Sequence, residues 1–201
     1  TAAPGTKFEY SNLGYVLAGH MLEAAFGDTW EDLMRGRLFR PLGMARAGFG
    51  GTGAKGGIDQ PWPHLENGRP APENGPAMDN PPVMGPAGVV HAPLVDWALF
   101  VAEHLRGAQG RGVLLKAETY RQLHTPPPGG AYAGGWGVVD RKWGGGTVLT
   151  HAGSNTMNKS VAWLAPKRDF AVLVCTNQGG DDTTKACDEA ASALIRAHEK
   201  A

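Results

Sequence analysis

The sequence predicts an α+β fold: an antiparallel sheet flanked by helices, with a helical and loop-rich region placed before the sheet. Three observations predict it. Helical periodicity dominates the first half, strand-like runs separated by turn residues follow one another in the last third, and one helical segment closes the chain. Helices segregated on a run of adjacent strands mark an α+β arrangement rather than alternating βαβ units.

Leu13, Val16, Leu17, Met21 and Ala24 recur at helical spacing and predict a first helix over Asn12–Phe26, stopped by Gly27. Thr29-Trp30-Glu31-Asp32 fits a capping box for a second helix, with Leu33, Met34, Leu38 and Phe39 as its apolar face. Pro41 is expected to end it. Residues 43–92 then hold 11 Gly and 8 Pro with little periodicity, which predicts one long loop. Pro93 is expected in the first turn of a third helix, with Leu94, Trp97, Ala98, Val101 and Leu105 inward and Gly107 as the stop. A shorter helix covers 117–124, before Pro126-Pro127-Pro128.

Strands are predicted at 136–140, 148–151, 160–164 and 170–176, the last two joined by a hairpin-like 166–169 connection. Asp181 or Asp182 is expected to cap a final helix whose Ala186, Ala190, Leu194 and Ile195 form one face. The chain thus reads as a single partial domain over 1–201. Its parts are 1–42 helical, 43–92 loop, 93–125 helical, 136–178 antiparallel strands and 182–199 the closing helix.

Composition narrows the function classes. The 201 residues carry 19 Lys and Arg against 19 Asp and Glu, with 42% hydrophobic and 8% aromatic residues. A net charge of zero argues against nucleic acid or an anionic membrane as partner, since either favours a basic excess. No run of 18 apolar residues occurs, so no transmembrane segment is expected. Cys175 and Cys187 could form one bridge, which is no disulfide framework. Without C-x-x-C or H-E-x-x-H there is no strong metal signature, and no cofactor is expected. His20 and Glu23 lie three apart on the first helix, a solvated pair without a third zinc ligand. His64, His91, His104, His124 and His198 show no paired spacing.

Two short motifs carry candidate chemistry. Tyr10-Ser11-Asn12 stands at a helix start, where Ser11 also reads as an N-cap and Tyr10 as a surface aromatic. His151-Ala152-Gly153-Ser154 ends an apolar strand, where a glycine lets a ligand approach the backbone. His151 equally reads as a strand-end histidine with a satisfied ring.

Their context is more specific. Pro4-Gly5-Thr6-Lys7-Phe8-Glu9-Tyr10-Ser11-Asn12-Leu13-Gly14-Tyr15 looks like "P-G-x-x-F-x-Y-S-N-x-G-Y", and Leu38-Phe39-Arg40-Pro41-Leu42-Gly43-Met44 like "L-F-x-P-L-G-M". Pro86-Ala87-Gly88-Val89-Val90 with Asp96 and Phe100 is similar to "A-G-G-L-x-S-x-x-D-x-x-x-F". Gly134-Gly135-Trp136-Gly137 looks like "G-x-G-W", and His151-Ala152-Gly153-Ser154 fills a K-T-G position. In this order the chain resembles the serine β-lactamase/penicillin-binding-protein superfamily, in its class C-like esterase and D-peptidase branch.

That resemblance implies a β-lactamase/transpeptidase-like fold and an acyl-serine hydrolase. Tyr10 would act as general base or proton shuttle beside a cation, and Asn12 would hold the nucleophile's partners and the substrate amide. His151 would line the pocket against the leaving group or a substrate carboxylate. The Ser154 N–H would serve as an oxyanion donor, with Gly153 and Asn155 binding substrate. Residues 43–92 would wall a site for a small ester, amide or peptide. A histidine in the lysine position tilts the substrate towards esters or D-amino-acid peptides, because neutral imidazole holds a carboxylate weakly.

One part of the pattern is absent. None of the four serines, Ser11, Ser154, Ser160 and Ser192, begins an S-x-x-K, and Ser154 makes no G-x-S-x-G elbow. The expectation is therefore the C-terminal portion of a larger, incomplete fold. An N-terminal segment carrying S-x-x-K, or a second copy, would pair with the apolar 170–176 strand. Two other readings stand beside it. One is a non-catalytic ligand-binding or complementing fragment of the same fold. The other is an N-terminal nucleophile at Thr1.

Overall fold

The structure, a computed structural model, describes residues 3, 6, 8–54, 57–72 and 78–200. Helix α1 spans Asn12–Phe26. The Ser11 hydroxyl accepts from the Gly14 N–H at 3.1 Å, and Gly27 closes the helix at φ 74°, a left-handed turn that glycine adopts without strain. The apolar residues that set the period of α1 are mostly uncovered. Of its residues only Gly19 is buried, docked where an added Cβ would fall 2.2 Å from Pro86 Cγ. Leu13, Leu17 and Met21 are instead exposed. Val16, on the same helix, is half-buried.

The second helix runs as α2 (Trp30–Met34), a π-helical segment Arg35–Phe39 and α3 (Arg40–Leu42). Thr29 Oγ1 accepts from the Asp32 N–H at 3.2 Å and donates to the Asp32 carboxylate at 2.9 Å. Pro41 does not end this helix; Gly43 does, at φ 73°. The preceding π-turn explains why, since the Arg40 N–H already reaches back to Arg35 O. In that widened turn a proline costs less than in a regular α ladder.

The 43–92 stretch is more ordered than a plain loop. β1 (Gly48–Phe49) pairs antiparallel with β2 (Val90–His91), and the short α4 (Gly85–Gly88) docks on α1. Phe39, Leu42 and Met44 pack there with Phe49 and Phe100. The carboxylate of buried Asp96 accepts from the Arg46 N–H at 2.7 Å and pins this layer to the next helix.

That helix, α5, spans Leu94–Ala108 with Pro93 at the cap position rather than in the first turn. Val101 and Leu105 face the core as expected, whereas Leu94 and Ala98 are exposed. Gly107 is not the stop. It lies inside the helix, where a Cβ would fall 2.4 Å from the Tyr120 ring of α6 (Ala117–His124). Behind it Glu103, 1% exposed, accepts from the N–H groups of Val113 and Leu114 and from the Tyr120 hydroxyl, and pairs with Arg106 at 2.9 Å.

The sheet is a meander of β3 (Tyr132–Ala133), β4 (Trp136–Arg141), β5 (Gly146–Ser154), β6 (Lys159–Ala165) and β7 (Phe170–Thr176), all antiparallel. β3 was not anticipated, and β5 extends past its predicted ends. Leu149, Leu164, Ala171 and Leu173 face α5, while Phe170, Val172 and Val174 face α7 (Asp181–His198). Gly180 takes the cap position of α7 with no side-chain cap, correcting the expectation for Asp181 and Asp182. Both carboxylates sit in the first turn, where they still complement the helix dipole. The buried face of α7 is Thr183, Cys187, Ala191 and Ile195, so Ala186, Ala190 and Leu194 point to solvent.

No strand pairs with the outer edge of β7 among the described residues. Cys175 and Cys187 are free thiols. Strand alternation puts Cys175 on the face of Ala171 and Leu173, opposite the face that α7 covers with Cys187. No helix among the described residues is long and apolar enough to cross a membrane.

Candidate active site

Tyr10 and Asn12 flank the start of α1. The Tyr10 hydroxyl donates to Asn12 Oδ1 at 2.8 Å, and its ring is 78% exposed. The bond turns the Asn12 amide so that its NH₂ donors remain available.

Sheet register sets the second half. β5 and β4 are paired as far as Thr150 and Gly137, after which 151–154 pair only with β6. The other edge of this stretch has no strand partner among the described residues. Cross-strand neighbours share a face, so His151 and Gly153 stand on the side of Ala162 and Ser160. His151 Nδ1 lies 2.5 Å from Gly135 O and 3.5 Å from the Tyr132 hydroxyl. A carbonyl only accepts, so Nδ1 carries the proton and neutral His151 offers Nε2 as an acceptor.

Tyr132 joins the two halves. Its pKa is raised above the ordinary phenol value by burial, and further by neighbouring Tyr15 and Tyr10. Phe8 packs on its ring at 4.7 Å. Tyr132 therefore meets the segment around the α1 start through Phe8 and Tyr15, and the strand end through His151.

The rest of the motif is tied into the β5–β6 turn. The Ser154 hydroxyl donates to Asn158 O at 2.8 Å and accepts from the Thr156 N–H, and it projects to the face opposite His151. Asn155 Oδ1 accepts from the N–H groups of Met157 and Asn158, while its amide donates to Asp79 at 2.8 Å. A Cβ at Gly153 would meet only Ser160 Oγ, at an ordinary 3.6 Å, so packing within the chain does not require glycine there. Thr1, Pro4, Gly5 and Lys7 lie outside the described residues.

Tyr132 escaped motif reading, and Gly135 and Trp136, read within G-x-G-W, were not singled out as neighbours of His151: the Gly135 carbonyl accepts from Nδ1, and the Trp136 ring meets His151 edge-on at 6.4 Å. Tyr132, four residues ahead of Trp136 in the glycine-rich turn, was the available signal. The structure also pairs two histidines that spacing left apart, with His104 Nδ1 2.9 Å from His124 Nε2. They belong to different helices, which linear spacing does not register. Among the described residues no group of three or more His, Cys, Asp or Glu is placed to hold a metal.

Comparison with known proteins bears on the family and the fold. The chain is 28% identical over 205 residues to the unguisins hydrolase of Aspergillus campestris, spanning 97% of this chain and 37% of that protein. Its fold superposes on the octameric penicillin-binding protein homologue from Pyrococcus abyssi with a TM-score of 0.71 and 22% identity, over 97% of this chain and 44% of that one. A D-stereospecific amidohydrolase from Streptomyces gives 0.68 and 22%, over 90% and 54%. The chain thus spans roughly half or less of the length of the proteins it matches. The family model described as Beta-lactamase matches residues 1–196, and the chain belongs to the beta-lactamase family.

Proposed function

We propose that this chain carries the Tyr10, Asn12 and His151 half of an acyl-serine hydrolase site, and that a segment bearing S-x-x-K completes it. The observation that carries the reading is that Tyr132 meets both His151 and, through Phe8 and Tyr15, the segment that carries Tyr10 and Asn12, beside an unpaired stretch of β5. In this reading the lysine of the added segment is the cation beside Tyr10, which then takes the proton of the attacking serine. Asn12 orients the substrate amide with its free NH₂. The Ser154 N–H contributes to the oxyanion hole from the strand end.

Asn155 acts from the turn that shapes this end of β5, since its own amide is engaged there. His151, tied at Nδ1, accepts from a substrate donor while neutral and holds a carboxylate only when protonated. This favours small esters and D-amino-acid amides or peptides, a preference also suggested by the amidohydrolase neighbour. No cofactor is needed for this route.

A complementing-fragment reading is favoured by two uncovered surfaces, the Leu13, Leu17 and Met21 stripe of α1 and the outer edge of β7. We assign both to the segment that brings the nucleophile. The test mixes the chain with a separately produced S-x-x-K segment and assays a short aryl ester against a D-amino-acid amide. Hydrolysis appearing only in the mixture, and lost with Tyr10→Phe, supports the reading. Hydrolysis undiminished by Tyr10→Phe sinks it.

A further inference from the structure

Beneath the turn that holds His151 lies a histidine pair, His104 buried and His124 half-buried, with no part in the chemistry above. The turn is seated by close approach: a Cβ on Gly134 would fall 3.0 Å from the Cα and the carbonyl oxygen of Leu123 on α6. The next residue, Gly135 at φ 93°, presents the carbonyl that fixes His151 Nδ1. The one after, buried Trp136, has the His104 ring 5.0 Å on one side and the His151 ring 6.4 Å on another. The seating of α6 on α5 therefore sets where the Gly135 carbonyl and the Trp136 ring stand.

Besides the Tyr120–Glu103 hydrogen bond, the two helices are linked at this end by His104 Nδ1 to His124 Nε2. We propose that the His104–His124 hydrogen bond is a positioning clasp for His151, closed while the pair shares one bridging proton and opened when acid protonates both rings. Two neutral rings bond through one N–H and one lone pair. Two imidazolium rings would oppose N–H to N–H and two positive charges at the same contact.

The groups facing the pair offer no full compensation. Glu103 on α5 is engaged by Tyr120, Arg106 and two backbone N–H groups; Tyr120 faces from α6; and on the sheet side His151 lies beyond Trp136, with Tyr132 of β3 beside it. Burial, then the charge of His124, push the pKa of His104 down to about 4 against an opposing pull from Glu103. Burial also lowers that of His124. The closed pair is thus the neutral-pH state.

The inference rests on His151 being a site residue, but it concerns position, so its test reads His151 and needs no substrate. Imidazole ¹⁵N NMR of the chain from pH 7 to pH 3 follows the Nδ1–H of His151. In the double variant H104N/H124Q, amide groups reach the two bridging positions without titrating. The expected result is an acid step in the wild-type His151 signal that is missing from H104N/H124Q while their pH 7 spectra agree. His124→Leu, which breaks the clasp, is expected to displace the His151 signal already at pH 7. The same His151 course in wild type and H104N/H124Q would overturn the proposal, and that comparison decides even if His124→Leu fails to fold. Absence of hydrolysis in a completed enzyme would count against the functional reading alone.

Discussion

Tyr10 donates its hydroxyl to Asn12 Oδ1 across 2.8 Å, so the phenol oxygen and the amide are set as one unit at the start of α1. Removing the hydroxyl leaves the packing almost untouched because the ring is largely exposed. Tyr10→Phe is expected to shift chain stability by less than about 0.5 kcal/mol. In the completed enzyme it should lower kcat by about 10²–10⁴-fold. Thermal melts and steady-state kinetics check the two halves separately.

The α1 stripe gives a second contrast. Met21 and Leu17 touch little within the chain, so Met21→Asp should leave its melting temperature nearly unchanged. The same change should weaken binding of the S-x-x-K segment at least about tenfold, the cost of an unpaired charge at an apolar contact. Titration calorimetry with that segment measures it.

Glu103 is the most heavily bonded buried group described. Burial alone would raise its pKa, but hydrogen bonds from Tyr120, Leu114, Arg106 and Val113 outweigh that and lower it. Glu103→Ala strands those donors and is expected to cost roughly 3–5 kcal/mol. Gly107→Ala, driving a methyl into the Tyr120 ring, should cost roughly 1–3 kcal/mol. Urea denaturation at pH 7 checks both.

Stability should fall with acid in a definite window. His104 binds its proton at about 4 in the folded chain and at 6.5 when free, so the unfolded state gains protons first. The His104 contribution is whole above about pH 6.5, is lost as pH falls towards about 4, and amounts to roughly 3 kcal/mol over that span. In H104N/H124Q this loss should disappear from denaturation curves measured across the window.

Local signals were legible where local chemistry decides. Ser11 and Gly27 bound α1 through their own cap geometry, and the β-branched run of β7 needed no neighbour to be recognised. Pro41 misled because the π-turn ahead of it comes from the path of the chain, not from proline itself. The face of α7 was misread because alanines occur on both sides of an alanine-rich helix, so periodicity selected Ala186 and Ala190 over Cys187 and Ala191. Ordered motifs singled out Tyr10, Asn12 and His151 as candidates. Tyr132 and the His104–His124 pair depend on strands and helices meeting, which no spacing rule encodes.

The most direct measurement is the mapping, by mass spectrometry, of a fluorophosphonate adduct on the chain alone and after addition of an S-x-x-K segment. A chain that holds only the Tyr10, Asn12 and His151 half should carry no adduct alone. In the mixture a single adduct should appear on the serine of the added segment. An adduct on the isolated chain, at Thr1, Ser154 or any other residue, would contradict the division of the site.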